Sequence, residues 1–322
     1  MRSIEFRKYF LLVVVVGFII AGVSGCAGQK QSLRWAHQQD NLYKAKVKDY
    51  VKKGTPSDSE QAILPATNAE LERSGDLLFS RGNLHMAFVE YEKCLKEDPK
   101  NTRILCKKGM LFLAGNLNDE AVKIFDEVLK LNPGYAIAHE GTGRALFQTK
   151  RYDEAQKRFK KALALNPNLW KSRNYLAMVY DFQHKYELAR CHYAEALYVR
   201  PDDGYLYNNL GVSFAMAGEY KKAVNAFTRA LEITEYSQKD KTYNNLGLVL
   251  SKLGRYEDAL EAFKKSGSDT QAFNNLGCVH LERGEADKAM ACFEAAVRSS
   301  PVFDVTACEN LKRARMSYNQ TQ

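Results

Sequence analysis

The chain is poor in the residues that build sites for chemistry. Seven cysteines and six histidines are spread over 322 residues. Apart from Cys26 the cysteines fall at 94, 106, 191, 278, 292 and 308, too sparse for a disulfide scaffold; Cys292 with Cys308 is the one pair that an oxidising compartment would bring into question. No Cys-x-x-Cys, His-Glu-x-x-His or glycine-rich nucleotide loop occurs, and the histidines lack ligand spacing. Cys191 and His192 are adjacent, but neighbours on a helix point about 100° apart and form no nucleophile–base couple unaided. The expectation is therefore no metal, no cofactor and no enzyme. Concentrated charge is scarce too. Arg2, Arg7 and Lys8 supply part of the formal +9, and no basic stripe marks a nucleic-acid partner. Lys44, Lys46, Lys48, Lys52 and Lys53, with Tyr43 and Tyr50, form either a contact for anionic lipid headgroups or a solvated helix face.

What is present is an ordinary globular composition, 45% hydrophobic and 26% charged, which excludes disorder throughout. The start departs from it. "MRSIEFRKYFLLVVVVGFIIAGVSGC" has a basic beginning, an apolar run from Tyr9 to Ala21 and small residues before a cysteine, the layout of a secretory signal over residues 1–25. Val23-Ser24-Gly25-Cys26 resembles a bacterial lipobox, with valine where that family usually has leucine; the resemblance implies cleavage before Cys26 and its acylation. The alternative is an uncleaved signal anchor. Several acyl chains anchor a protein stably where one does not. Ala27 stands where lipoproteins retained in the inner membrane often carry Asp, so the resemblance implies the outer membrane, facing the periplasm. Within 26–67, Leu33, Ala36, Tyr43, Val47 and Tyr50 recur at helical intervals, and Gly54, Pro56 and Pro65 then mark a linker.

The body is periodic. Glycines at 75, 109, 143 and 211, with Ala177 filling the gap, keep a 34-residue beat. Ala87, Ala121, Ala155, Ala189 and Ala223 follow twelve residues later, Tyr91, Phe125, Phe159, Tyr193 and Phe227 four after those, and Pro99, Pro133, Pro167 and Pro201 close the units. This period and pattern resemble the tetratricopeptide repeat. The resemblance implies an all-α solenoid, a right-handed superhelix of antiparallel helix pairs. Seven units over 68–303 follow, starting near 68, 102, 136, 170, 204, 240 and 270, with a capping helix and tail at 304–322. Each pair buries its apolar face only by stacking on neighbours. Gly143 and Ala155 are expected to permit the close approach of two helices, with Leu146, Phe159 and Ala162 filling the seam. "TEYSQKDK" lengthens one junction and "SGSD" shortens the next, so an irregular bend is expected between intact hairpins.

Numbered from each unit start, positions 4, 7, 8 and 11 form the core stripe of the first helix, and positions 2, 5, 9, 12 and 13 the adjacent stripe. In the family that second stripe lines the concave groove. Asn174, Asn208, Asn244 and Asn274 occupy position 5, and Asn209, Asn245 and Asn275 position 6. Such amides suit the alternating C=O and N–H groups of an extended peptide, and a comparable ladder occurs in the tetratricopeptide domain of O-GlcNAc transferase. The other reading is structural: the amides bond a neighbouring helix. Met178, Val212 and Leu248, with Met110 and Cys278, make position 9 apolar, apart from Asp76 and Arg144.

Lipobox, spacer, array and cap together resemble lipoproteins that assist pilus or secretin assembly, including type IV pilotins and the tight-adherence (Flp) pilus lipoprotein. The function implied is a membrane-anchored scaffold that binds extended peptide segments of envelope proteins. The same architecture serves lipoproteins that organise cell-wall hydrolases or other envelope complexes, and that alternative stays open.

Overall fold

The computed structural model describes residues 67–233, 237–300, 302 and 304–321, with side chains as far as Asn319. The signal sequence, Cys26 and the helical pattern at 33–50 lie outside the described residues. Fifteen α-helices make up the described chain, with no strand among the described residues. They are α1 (Asn68–Ser80), α2 (Leu84–Glu97), α3 (Thr102–Ala114), α4 (Asn118–Leu131), α5 (Ala136–Gln148), α6 (Tyr152–Leu165), α7 (Trp170–Phe182), α8 (Tyr186–Val199), α9 (Gly204–Met216), α10 (Tyr220–Glu232), α11 (Lys239–Lys252), α12 (Tyr256–Ser266), α13 (Asp269–Glu282), α14 (Ala286–Ser299) and α15 (Val305–Thr321).

Two compact units divide between Gln183 and His184. In the first, α1 packs on α2, α3 on α4 and α5 on α6, and the first helices α3, α5 and α7 touch in succession. In the second, α9 packs on α10, α11 on α12, and α13 on α14, which α15 covers. No described helix is long and apolar enough to cross a membrane.

Six of the hairpins are stapled by one ring over one glycine, the unit beginning near 170 having Ala177 in the glycine's place. A Cβ built on Gly143 would lie 2.7 Å from Phe159, and one on Gly109 would lie 2.6 Å from Phe125, so any side chain there would displace a ring that is fully buried. The close approach expected between Gly143 and Ala155 is thus filled by Phe159, a residue whose burial stabilises by about 1.5–3 kcal/mol. Ala155 and Ala162 beside it are also fully buried.

The turns within the hairpins repeat as well, though their residues do not. Gly82, Asn116, Lys150, His184, Gly218, Gly254 and Gly284 all sit at position 15 with φ between 58° and 79°. This left-handed residue lets the next N–H reach back to a carbonyl near the helix end: Arg151 N–H donates to Leu146 O at 2.8 Å, and Glu219 N–H to Phe214 O at 2.9 Å. Between pairs, Asn132 and Asn166 accept from the N–H of Gly134 and Asn168 at 3.1 and 3.0 Å, turning the chain around Pro133 and Pro167. The shortened junction near 267 removes part of a helix and not only a linker. Helix α12 has 11 residues, against 13 or 14 in the second helices α2, α4, α6, α8, α10 and α14. Ser268 then caps α13 in a reciprocal box with Gln271.

Candidate functional site

The position-5 and position-9 stripe lies on the first helices, as the register requires. In the unit ending at Gln183 its first turns are occupied by charge. Lys107 donates to Glu72 at 2.6 Å and to Asp76 at 2.8 Å, Arg103 lies 2.7 Å from Glu72, and the Tyr91 hydroxyl donates to Asp76 at 2.8 Å. Burial, followed by this bond to Asp76, pushes the Tyr91 phenol upward. Glu72 and Asp76 are therefore neutralised within the chain.

Further along, Arg144 is not. Its Nη1 lies 3.6 Å from Met110 Sδ and its guanidinium carbon 5.7 Å from the centre of the Tyr175 ring. Its Nε is buried with no hydrogen-bond partner, and no carboxylate pairs with it among the described residues. Glu140, one turn earlier, is buried and accepts from Ser172 Oγ at 2.8 Å instead. Tyr175 is fixed by stacking on Phe159 at 5.5 Å and by the edge of Phe147 at 5.3 Å. Half-buried Met178 and Asn174 continue the patch, with the Asn174 amide 3.8 Å from Met178 Sδ. The result is a partly exposed cation among thioethers and an aromatic ring. In the sequence Arg144 stands only as an exception to an apolar row; that it lacks a counter-charge depends on where Glu140 points.

Of the two readings open for the asparagines of the other unit, groove contact and bonding to a neighbouring helix, the second describes Asn244, Asn245, Asn274 and Asn275. Asn244, Asn245, Asn274 and Asn275 are each under 7% exposed. Asn245 Nδ2 donates to Asn208 Oδ1 at 3.2 Å, Asn275 Nδ2 to Asn244 Oδ1 at 3.1 Å, and Asn310 Nδ2 to Asn274 Oδ1 at 2.9 Å. Asn245 and Asn275 at position 6, and Asn310 on α15, thus each donate to the position-5 side-chain carbonyl of the preceding first helix. Thr242 Oγ1 also donates to Asn208 at 3.0 Å, and Asn208 Nδ2 lies 3.4 Å from Asn209 Oδ1. Asn208 and Asn209 stay half-exposed. Burial explains the pairing: polar groups withdrawn from water between helices must bond there. Val212 and Leu248 are half-buried and pack against the cluster around Ala223, Phe227 and Val249. Asn310 lies on the capping helix α15, beyond the seven repeat units whose register marks the other asparagines, and its only sequence signal is that Asn310-Leu311 echoes the Asn-Leu of "YNNLG".

Cys292 and Cys308 are both free thiols. Cys292 packs against the cluster around Leu250 and Phe263 on the preceding hairpin, and burial raises its pKa to about 11. No group of three metal-ligating side chains is found among the described residues.

Comparison with known proteins agrees with the repeat fold. Tetratricopeptide-repeat family models match residues 202–266 and residues 106–169 and 244–302, together more than half of the chain. No curated protein matches it in sequence. Among solved structures, it is similar to the anaphase-promoting-complex hetero-tetramer Cut9–Hcn1 at 22% identity and TM-score 0.58, over 77% of this chain but only 48% of that one. It is similar to a tetratricopeptide repeat protein from Parabacteroides merdae at 16% identity and TM-score 0.53, over 77% of this chain and 98% of that one. PilW, described as a widely conserved type IV pilus biogenesis factor, matches at 20% identity and TM-score 0.56, over 62% of this chain and 91% of that one. At these identities the likeness is one of fold.

Proposed function

Since the chain belongs to the tetratricopeptide-repeat family, we propose that it is a scaffold held at the cell envelope through Cys26, where it binds extended segments of partner proteins and assists pilus or secretion-system assembly. Unpaired Arg144 between Met110 and Tyr175 carries the binding reading. A cation kept partly out of water without an internal counter-charge suits a partner carboxylate flanked by apolar side chains. The lipobox-like Val23-Ser24-Gly25-Cys26 supports the anchor, with the outer membrane, facing the periplasm, as the place. The fold likeness to PilW supports pilus assembly as the setting. A repeat fold of this kind is typically a non-catalytic scaffold, and no cofactor is invoked.

Affinity capture from solubilised envelope tests the reading. Recovery of pilus or secretion components by the wild type, reduced about tenfold or more by Arg144→Gln, is the expected result. Cell-wall hydrolases recovered in their place would transfer the scaffold to the alternative reading, and recovery unaffected by the substitution would move the binding surface away from Arg144.

A further inference from the structure

Two groove residues of α5 carry opposite charges that the chain itself leaves unanswered. Glu140, at position 5, is 4% exposed and receives one neutral donor, Ser172 Oγ at 2.8 Å. Its counterpart on α1, Glu72, receives two cations from α3, Arg103 at 2.7 Å and Lys107 at 2.6 Å. The difference lies in α7. Where α3 has Lys107 at position 6, α7 has Tyr175; where α3 has Arg103 at position 2, α7 has Lys171, whose ammonium sits over the Trp170 ring at 5.5 Å. No cation therefore pairs with Glu140 among the described residues, although a buried carboxylate is costly without one.

Glu140 and Arg144 stand four apart on one helix, a spacing at which opposite charges commonly pair. Here they diverge. Ser172 on α7 holds Glu140, while Arg144 turns to Met110 Sδ on α3 at 3.6 Å and keeps a buried Nε without a partner. Each charge is left to a group from outside. A position-5 carboxylate can be reached from the open side of the groove, because Arg103, with 63% of its side chain exposed, touches the likewise buried Glu72.

The separation of the two charges selects the ligand. Four residues of α5 rise about 6 Å, and side chains two apart on an extended strand share a face at roughly 6.6 Å. We propose that Glu140 and Arg144 together read a dipolar partner segment: an extended strand with a basic and an acidic side chain two residues apart, the base meeting Glu140 and the acid meeting Arg144. Charge-assisted hydrogen bonds at both ends fix how the segment lies across α5. The site so defined depends on Arg144 binding a partner carboxylate and adds a second, opposite requirement.

Fluorescence polarisation of labelled, end-blocked peptides with the full chain in detergent tests it, using the cores Leu-Asp-Leu-Lys-Leu and Leu-Lys-Leu-Asp-Leu. The tighter binder of the two should weaken about tenfold when its Lys becomes Gln, and about tenfold when its Asp becomes Asn. Glu140→Gln, which keeps an oxygen for Ser172 Oγ, should erase the preference for Lys over Gln and leave that for Asp over Asn, with circular dichroism unchanged. Arg144→Gln should erase the preference for Asp. Peptides that need Asp and Arg144 but bind equally with Lys or Gln overturn the dipolar site and leave the Arg144 reading standing. A Glu140→Gln variant that still prefers Lys overturns the site as well. Binding indifferent to Arg144→Gln, no binding at millimolar peptide, or a chain that dimerises through this groove and excludes the peptides removes both.

Discussion

Asn275 donates its side-chain amide to the Asn244 carbonyl across two successive first helices at 3.1 Å, and Lys107 reaches Glu72 from the same pair of positions at 2.6 Å. An acceptor at position 5 therefore receives a donor from position 6 of the next first helix whether the pair is amide or ionic. The link is one of packing energetics. Replacing Asn244 and Asn274 by Ala strips the acceptors from Asn275 and Asn310, and each buried donor left unpaired costs about 1–3 kcal/mol. The expected outcome in urea denaturation is a lower midpoint for each single variant. Unchanged midpoints would return these amides to the ligand-binding role that their sequence register first implied.

Lys150 holds a left-handed conformation, φ 62°, that glycine holds at the equivalent Gly218 and Gly254. Its Cβ is strained there, at roughly 1 kcal/mol. Lys150→Gly should raise the thermal midpoint, whereas Gly218→Ala should lower it by a comparable free energy. Scanning calorimetry of the two variants reads both signs.

Glu285 is held down to about 2, by Arg283 first and then by His280 and Lys288, from an ordinary 4.5. A depressed folded-state value means that the unfolded chain takes up the proton first as pH falls. The stabilisation is present above about pH 4.5 and disappears between there and pH 2. The stability difference between wild type and Glu285→Gln should therefore shrink on acidification through that window. A difference independent of pH would show that the carboxylate charge is not the source.

Cys26→Ser should leave unprocessed precursor, because the proposed acyl acceptor is gone. Metabolic labelling with a fatty acid checks it directly: label on the variant equal to wild type would remove Cys26 from the anchor.

The sequence carried the fold clearly because its period is written in residue types with one structural use each: glycine under a ring, alanine at a seam, proline past a helix end. The turn at position 15 was hidden, since Gly, Asn, Lys and His all occupy it and only the backbone reveals what they share. Asparagine at 244 and 245 was visible as a repeat, but neighbours about 100° apart on a helix point to different surroundings, and which of them meets the next helix is decided by packing. Arg144 illustrates the same limit. Its charge is legible, whereas its lack of a counter-charge follows from Glu140 turning to Ser172.

The position-6 to position-5 link also has a polarity. A block spanning α11 and α12 carries Asn245 as a plug toward the helix before it and Asn244 as a socket for the helix after it. Copied in tandem, such a block would join to itself without redesign. The α3–α4 block would not, because Lys107 supplies the plug while position 5 is Cys106, a buried thiol with no carboxylate or amide to receive it. Interchangeability of segments thus differs along the same chain, and lengthening the protein by duplication is expected to succeed around Asn244 and to fail around Cys106.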